Sequence, residues 1–125
     1  MKRQWLAGWP WQTVKAINAG LCKEKKALHK PTSDGYEPAH KLWEKSRARE
    51  LTLRETLEIC RRCHKLAPFC FYNGNTFAAV GRTLILDLLA KMPPDTAHSF
   101  RGVVGHYIAG TVGDDELDAA LKFLD

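Results

Sequence analysis

The sequence lacks any long hydrophobic run. A membrane-spanning helix needs about 18 or more consecutive apolar residues, and the best apolar run, 84–90, is interrupted by Asp87. The first residues are basic, but the segment after them contains Gly8 and Pro10 and soon becomes polar, unlike a secretory signal peptide. We therefore expect a soluble, cytoplasmic protein with no membrane partner.

The chain also lacks the short motifs of common enzyme classes. It has no P-loop, no glycine fingerprint of dinucleotide-binding proteins, no H-E-x-x-H and no G-x-S-x-G. The acidic residues within 114–118 cluster where a helix is expected to begin, and a helix N-terminus favours such charges without any catalytic role. We expect a protein that is not an enzyme, and two patterns described below keep the question open.

The length and composition are those of one globular domain. The chain has 125 residues, of which 45% are hydrophobic and 26% charged, and it contains no internal repeat. Most apolar residues recur at helical spacing. The sequence therefore predicts an all-α protein, a small bundle of about five to six helices in a single domain, 1–125. We expect a basic N-terminal helical part, about 1–50, and a compact helical core, about 52–125.

Local signals predict where the helices begin and end. Thr52 followed by Glu55 forms a capping box, and Asn75 or Thr76 is expected to cap the helix that should be the most buried. Gly113 suits the end of the following helix. The predicted helices cover about 10–29, 38 into the charged stretch 44–50, 53–66, 77–92, 95 or 96 to 112, and 114–124.

Two glycines lie inside a predicted amphipathic helix. Gly102 and Gly105 each cost about 1 kcal/mol relative to alanine in a helix interior. Their expected benefit is the close approach of a neighbouring helix.

Positive charge is concentrated in the N-terminal half. Residues 1–65 carry 15 Lys and Arg against 7 Asp and Glu, whereas 66–125 carry 4 against 7, and the net charge is +5. A basic half favours an acidic partner, either nucleic acid or an acidic protein surface. Our first hypothesis is a non-enzymatic nucleic-acid-binding module. The expected phosphate contacts are Lys23, Lys25, Lys26, Lys45, Arg47, Arg49, Arg61 and Arg62.

Four tryptophans fall in the same half of the chain. Trp5, Trp9, Trp11 and Trp43 lie among the basic residues, where indole rings can stack on unpaired bases. The alternative hypothesis is a protein-docking adaptor or subunit that uses the same tryptophans as an exposed surface, because large apolar patches usually mark partner sites.

The sharpest local pattern is C-x-x-C-H at Cys60, Cys63 and His64, followed by Cys70. It resembles the haem-attachment motif of c-type cytochromes, which implies Cys60 and Cys63 as attachment points and His64 as an iron ligand. Zinc or an iron–sulfur cluster is a second interpretation, although a second C-x-x-C pair is missing. The third is structural, with buried cysteines packing as small hydrophobes. We expect the third, and no cofactor.

A second pattern, R-x4-H, is formed by Arg101 and His106. It resembles the short motif of HEPN-domain ribonucleases, small helical bundles that often dimerise. The resemblance implies that Arg101 and His106 act together on an RNA backbone in a homo-oligomer. The structural interpretation is that Arg101 is a surface charge and that His106 flanks the core stripe of its helix.

Overall fold

The computed structural model describes residues 2–124, apart from the side chain of Phe123. Within these residues the chain forms helices and two isolated β-bridges, with no strand. This confirms the predicted all-α bundle and adds one short helix to the expected number. The helices are α1 (Trp11–Glu24), α2 (Tyr36–Arg47), α3 (Leu53–Leu66), α4 (Asn73–Leu84), α5 (Leu86–Leu89), α6 (Pro94–Ala109) and α7 (Asp114–Leu121), and a 3-10 turn follows (Lys122–Leu124).

Helix α3 begins where the capping box predicts. The backbone N–H of Glu55 donates to Oγ1 of Thr52 at 3.1 Å, and the N–H of Thr52 donates to Oε1 of Glu55 at 2.8 Å. These hydrogen bonds hold the pKa of Glu55 below its usual value. The helix ends before Ala67, which adopts a left-handed conformation with φ 50° ahead of Pro68.

Several predicted helix limits are wrong, including the start of α2 at Tyr36 rather than 38 and the end of α7 at Leu121 rather than 124. Helix α1 ends at Glu24 rather than at 29, because Lys26 takes a positive φ of 58° and turns the chain. Helix α4 begins at Asn73, earlier than the predicted caps at 75 and 76, since Tyr72 in a left-handed conformation starts it. Helix α6 ends before Gly110, with φ 87°, and not before Gly113.

The expected single helix 77–92 is divided at Ile85. The backbone of Ile85 leaves helical geometry with φ −99° and ψ 6°, and α5 follows as a single turn. The change of direction leaves Ile85 fully buried and Leu86 56% exposed. An apolar pattern all round a helix does not specify its inner face, so the periodicity alone could not locate this break.

Helix α4 is the central helix, as predicted for its segment. It packs against α1, α3 and α6. The contact with α6 depends on Gly81, where a Cβ atom would collide with Cδ1 of Ile108. Gly105 accommodates the guanidinium of Arg82, whereas a Cβ on Gly102 would meet nothing within 4 Å. The expected close approach of a neighbouring helix is therefore wrong at Gly102, and at Gly105 the group that approaches is the end of the Arg82 side chain rather than a helix backbone.

The N-terminal part packs on the other helices. Leu6 and Trp43 are fully buried, and Trp11 is 3% exposed. The segment before α1 is also tied by its backbone, since Arg3 pairs with Leu51 in an antiparallel bridge. Residues 3–47 thus contribute to the same hydrophobic core as α3, α4 and α6.

None of the helices in the described part of the chain combines the length and the hydropathy that a membrane span requires.

We predict opposite effects of alanine at two helical glycines. Gly81→Ala should lower the free energy of unfolding by about 1–2 kcal/mol, because overpacking against Ile108 outweighs the gain in helix propensity. Gly102→Ala should raise it by up to about 1 kcal/mol, since the new methyl group meets open space. Urea unfolding of both variants checks this, and equal shifts would contradict the described α4–α6 packing.

Candidate functional site

Arg47, one of the predicted phosphate contacts, is committed to the fold. Its Nη1 lies 2.8 Å from Oε1 of Glu44, its Nη2 donates to the carbonyl of Ala7 at 2.9 Å, and its Nε reaches the carbonyl of Leu6. Burial alone would raise the pKa of Glu44, but hydrogen bonds from Arg47 and the backbone N–H of Trp11 lower it. Arg47 therefore holds the N-terminal segment on α2.

Arg61 also has a structural role. Its guanidinium lies 4.6 Å from the centre of the Tyr107 ring, and its Nη1 donates to the carbonyl of Val112 at 3.1 Å. These contacts join α3 to α6 and to the segment before α7. Arg61 is thus not free to bind phosphate.

The lysines at the end of α1 are exposed but stand apart from the other predicted contacts. The start of α1 contacts α2, because the backbone N–H of Trp11 donates to Glu44 at 3.0 Å. The three lysines, Lys23, Lys25 and Lys26, follow 12 to 15 residues later. A helix of 14 residues is about 20 Å long. These lysines therefore lie at the end of α1 that is remote from this contact with α2.

Two other predicted cations, Arg49 and Arg62, line one cavity between the end of α2 and α3. Helices α2 and α3 are antiparallel. The end of α3 lies beside the start of α2, where Sγ of Cys63 approaches the carbonyl of Ala39. The start of α3 lies beside the end of α2, where Glu55 and Arg49 line this cavity. That cavity has a volume of about 150 Å³ and is also lined by Arg62.

Lys41 extends this group along α2. It lies four residues before Lys45, which places the two side chains on neighbouring turns of the exposed side of the helix. Arg49 follows in the turn after α2, where its N–H donates to the carbonyl of Ser46. We name Lys41, Lys45, Arg49 and Arg62 the α2–α3 basic face. Lys41 is not among the predicted contacts, although its spacing of four residues from Lys45 and eight from Arg49 is visible in the sequence.

The α2–α3 basic face keeps its positive charge. All four side chains are exposed, and none forms an ion pair with another residue in the described range 2–124. Two carboxylates at the cavity have other partners, since Glu55 caps α3 and Glu58 lies 3.3 Å from Arg54. Glu37 and Glu50 are neighbours of Lys41 and Arg49 along the chain and form no ion pair with them in the described range. The face is therefore available to an external anion.

The tryptophans do not form an exposed surface. Trp11 and Trp43 are buried, and their indole N–H groups donate to the hydroxyl of Tyr36 at 3.0 Å and to the carbonyl of Trp9 at 2.8 Å. The prediction of an exposed partner site is wrong for these two, because their rings fill the core. Trp5 and Trp9 are half-buried. Among the described residues, the strongly exposed large apolar side chains are Leu28, Leu66, Phe71, Leu86 and Leu124.

The C-x-x-C-H residues point in different directions. Cys63 faces α2 with its Sγ 3.8 Å from the carbonyl of Ala39, whereas Nδ1 of His64 donates to the carbonyl of Ile108 on α6 at 2.9 Å. Cys60 is fully buried and Cys70 is exposed. Within residues 2–124, no three His, Cys, Asp or Glu side chains come together as a metal-ligand group.

Burial also controls the chemistry of these thiols. It raises the pKa of Cys63 to about 12, against a smaller opposing effect of Arg62, and it raises the pKa of Cys60 further, helped by the neighbouring Cys63. The thiolate is the form that binds metals and attacks electrophiles. Cys60 and Cys63 are therefore neutral packing groups at physiological pH.

Arg101 and His106 both lie on the exposed surface of α6. Residues five apart on one helix diverge by about 140°. Nδ1 of His106 lies 3.0 Å from Oγ1 of Thr111, whose hydroxyl also approaches the carbonyl of His106 at 3.1 Å. Arg101 and His106 thus point to different sides of α6, and the ribonuclease interpretation of the R-x4-H pattern stays a hypothesis.

We predict that only one thiol reacts in the folded protein. At about pH 8, a disulfide reagent such as Ellman's reagent should modify Cys70 alone, because the thiols of Cys22, Cys60 and Cys63 are buried. All four should react after unfolding in guanidinium. Cys70→Ser is the control and should abolish the reaction of the folded protein. Two or more reactive thiols in the native state would contradict the burial of the cluster.

Comparison with known proteins gives no further assignment. No protein-family model, no curated protein and no solved structure matches this chain. The α2–α3 basic face is therefore judged by the chemistry of its own residues.

Proposed function

We propose that this protein is a non-enzymatic module that binds nucleic acid through the α2–α3 basic face. One observation carries the proposal: the cations divide into two groups. Arg47, Arg54 and Arg61 have partners within the fold, whereas the four cations of the face have no ion pair in the described part of the chain, and the same holds for Lys23 and Lys25. The face differs from those lysines because Arg49 and Arg62 line one cavity, and Lys41 and Lys45 lie on successive turns of α2 that lead toward it. Exposed cations of this kind are suited to phosphate, which dominates nucleic-acid affinity.

The form of the surface favours contact with a duplex backbone. Lys41 and Lys45 are separated by about 6 Å along the axis of α2, and Arg49 and Arg62 continue the charge around one small cavity. Base stacking on single strands needs exposed aromatic rings, and Trp11 and Trp43 are buried. We therefore expect phosphate contacts with little dependence on base sequence.

We predict that three alanine substitutions on the face abolish most of the binding. Lys41→Ala, Lys45→Ala and Arg49→Ala together should weaken the affinity for a labelled duplex of about 20 base pairs by at least tenfold at low salt. For the unaltered chain, four phosphate contacts give a slope of about −3.6 in a plot of the logarithm of the binding constant against the logarithm of the salt concentration. The variant keeps one of these contacts and should show a slope of about −1. Fluorescence anisotropy over a salt series measures both quantities.

The matched control removes the same charge elsewhere. The control carries three substitutions that lower the net charge by the same amount, Lys23→Ala, Lys25→Ala and Lys30→Ala. It leaves Lys26 in place, because a substitution at a residue with a positive φ could change the stability of the fold. This variant should bind the duplex nearly as well as the unaltered chain. Equal losses in both variants would show that only bulk charge matters. Equally tight binding of poly-glutamate would show an acidic-protein surface as the partner, and either result would overturn the proposal.

A further inference from the structure

A second, larger concavity lies at another place on the molecule. This groove has a volume of about 560 Å³, within the range of small-molecule sites. It forms where the N-terminal segment, the start of α3, the end of α5 and the segment after α7 meet. It shares no lining residue with the α2–α3 basic face. The groove is therefore a separate surface that the proposed function does not use.

The floor of the groove is apolar. Trp5, Leu88 and Leu121 are half-buried side chains that pack against the hydrophobic core, and Leu53 at the start of α3 is 8% exposed. These four residues come from different segments and meet only in the folded chain. Such a floor favours a ligand with an apolar body, since burying apolar surface supplies most of the binding free energy.

The rim of the groove is positively charged. Arg3, Lys91 and Lys122 line it and are exposed, and none of them forms an ion pair with another residue in the described range. Asp118 is the one carboxylate among the described lining residues, and it is engaged by Nε of Arg54 at 2.6 Å. Among the described residues, the rim therefore presents three cations without an ion-pair partner.

Trp5 adds an unused hydrogen-bond donor. Its ring is covered by the guanidinium of Arg3, whose Cζ lies 3.6 Å from the ring centre. Its indole Nε1 is buried and has no hydrogen-bond partner among the described residues. A buried donor without an acceptor is costly. Because this nitrogen is closed to solvent, it does not face the open volume of the groove.

We propose that this groove binds an anionic amphiphile, a small molecule with a carboxylate or phosphate head and an apolar body, such as a medium-chain fatty acid. The head lies at the rim near Arg3, Lys91 and Lys122, where an anionic oxygen has three cations as partners. The apolar body packs against Leu88 and Leu121, beside the Trp5 ring that Arg3 covers. Charge complementarity at the rim selects an anion over a neutral amphiphile of the same length.

The test uses decanoate as the probe and isothermal titration calorimetry as the measurement. We expect saturable binding of one decanoate per chain with a Kd below about 1 mM. Decanol, which has the same apolar body without the charge, should bind at least about tenfold more weakly.

Charge reversal locates the site. Lys91→Glu with Lys122→Glu should weaken decanoate binding by at least about tenfold, while Lys23→Glu with Lys25→Glu, which changes the net charge equally, should leave it unaffected. Circular dichroism melts confirm that both variants are folded. No binding by the unaltered chain, equal affinity for decanol, or equal losses in both double variants would overturn the proposal. The duplex affinity is measured separately and does not enter this result.

Discussion

The indole of Trp11 joins the first two helices to the rest of the bundle. Its ring centre lies 5.2 Å from that of His40 and 5.8 Å from that of Phe69, in stacked arrangements, and its Nε1 donates to the hydroxyl of Tyr36 at 3.0 Å. Aromatic contacts of this kind add to the stabilisation from burial. The same ring touches α2 and the segment before α4, and together with the fully buried Ala39 and Trp43 it keeps one side of α2 inward. Lys41 and Lys45 are exposed on the other side.

The same packing sorts the charges of the N-terminal half. An arginine beside a carbonyl or carboxylate of another segment is held in the fold, as Arg47 is by Leu6, Ala7 and Glu44. A lysine on the outer side of α2 meets no such group and stays in water. The basic half therefore contains structural cations and cations available for binding. The proposed nucleic-acid surface depends on this division rather than on the net charge of +5.

Local signals in the sequence predicted local structure. The capping box of Thr52 and Glu55 placed the start of α3, because both hydrogen bonds join residues three apart. The two carbonyl groups that hold Arg47 belong to residues 40 and 41 positions away in the sequence. No rule based on local spacing could therefore show that Arg47 is structural while Lys45 is exposed. Trp11 and Trp43 were misjudged for the same reason, since long-range contacts bury them. The groove at Trp5 is likewise assembled from four distant segments, and no local pattern predicts it.

The most direct test of the proposed interface is a titration of the isotope-labelled protein with a short DNA duplex, followed by amide chemical shifts. The account predicts that the largest shift changes fall on residues 41–49 and on the part of α3 around Arg62, with the acidic helix α7 unaffected. Changes centred on the end of α1 or on α6 would place the interface elsewhere. No changes at low salt would contradict nucleic-acid binding by this fold.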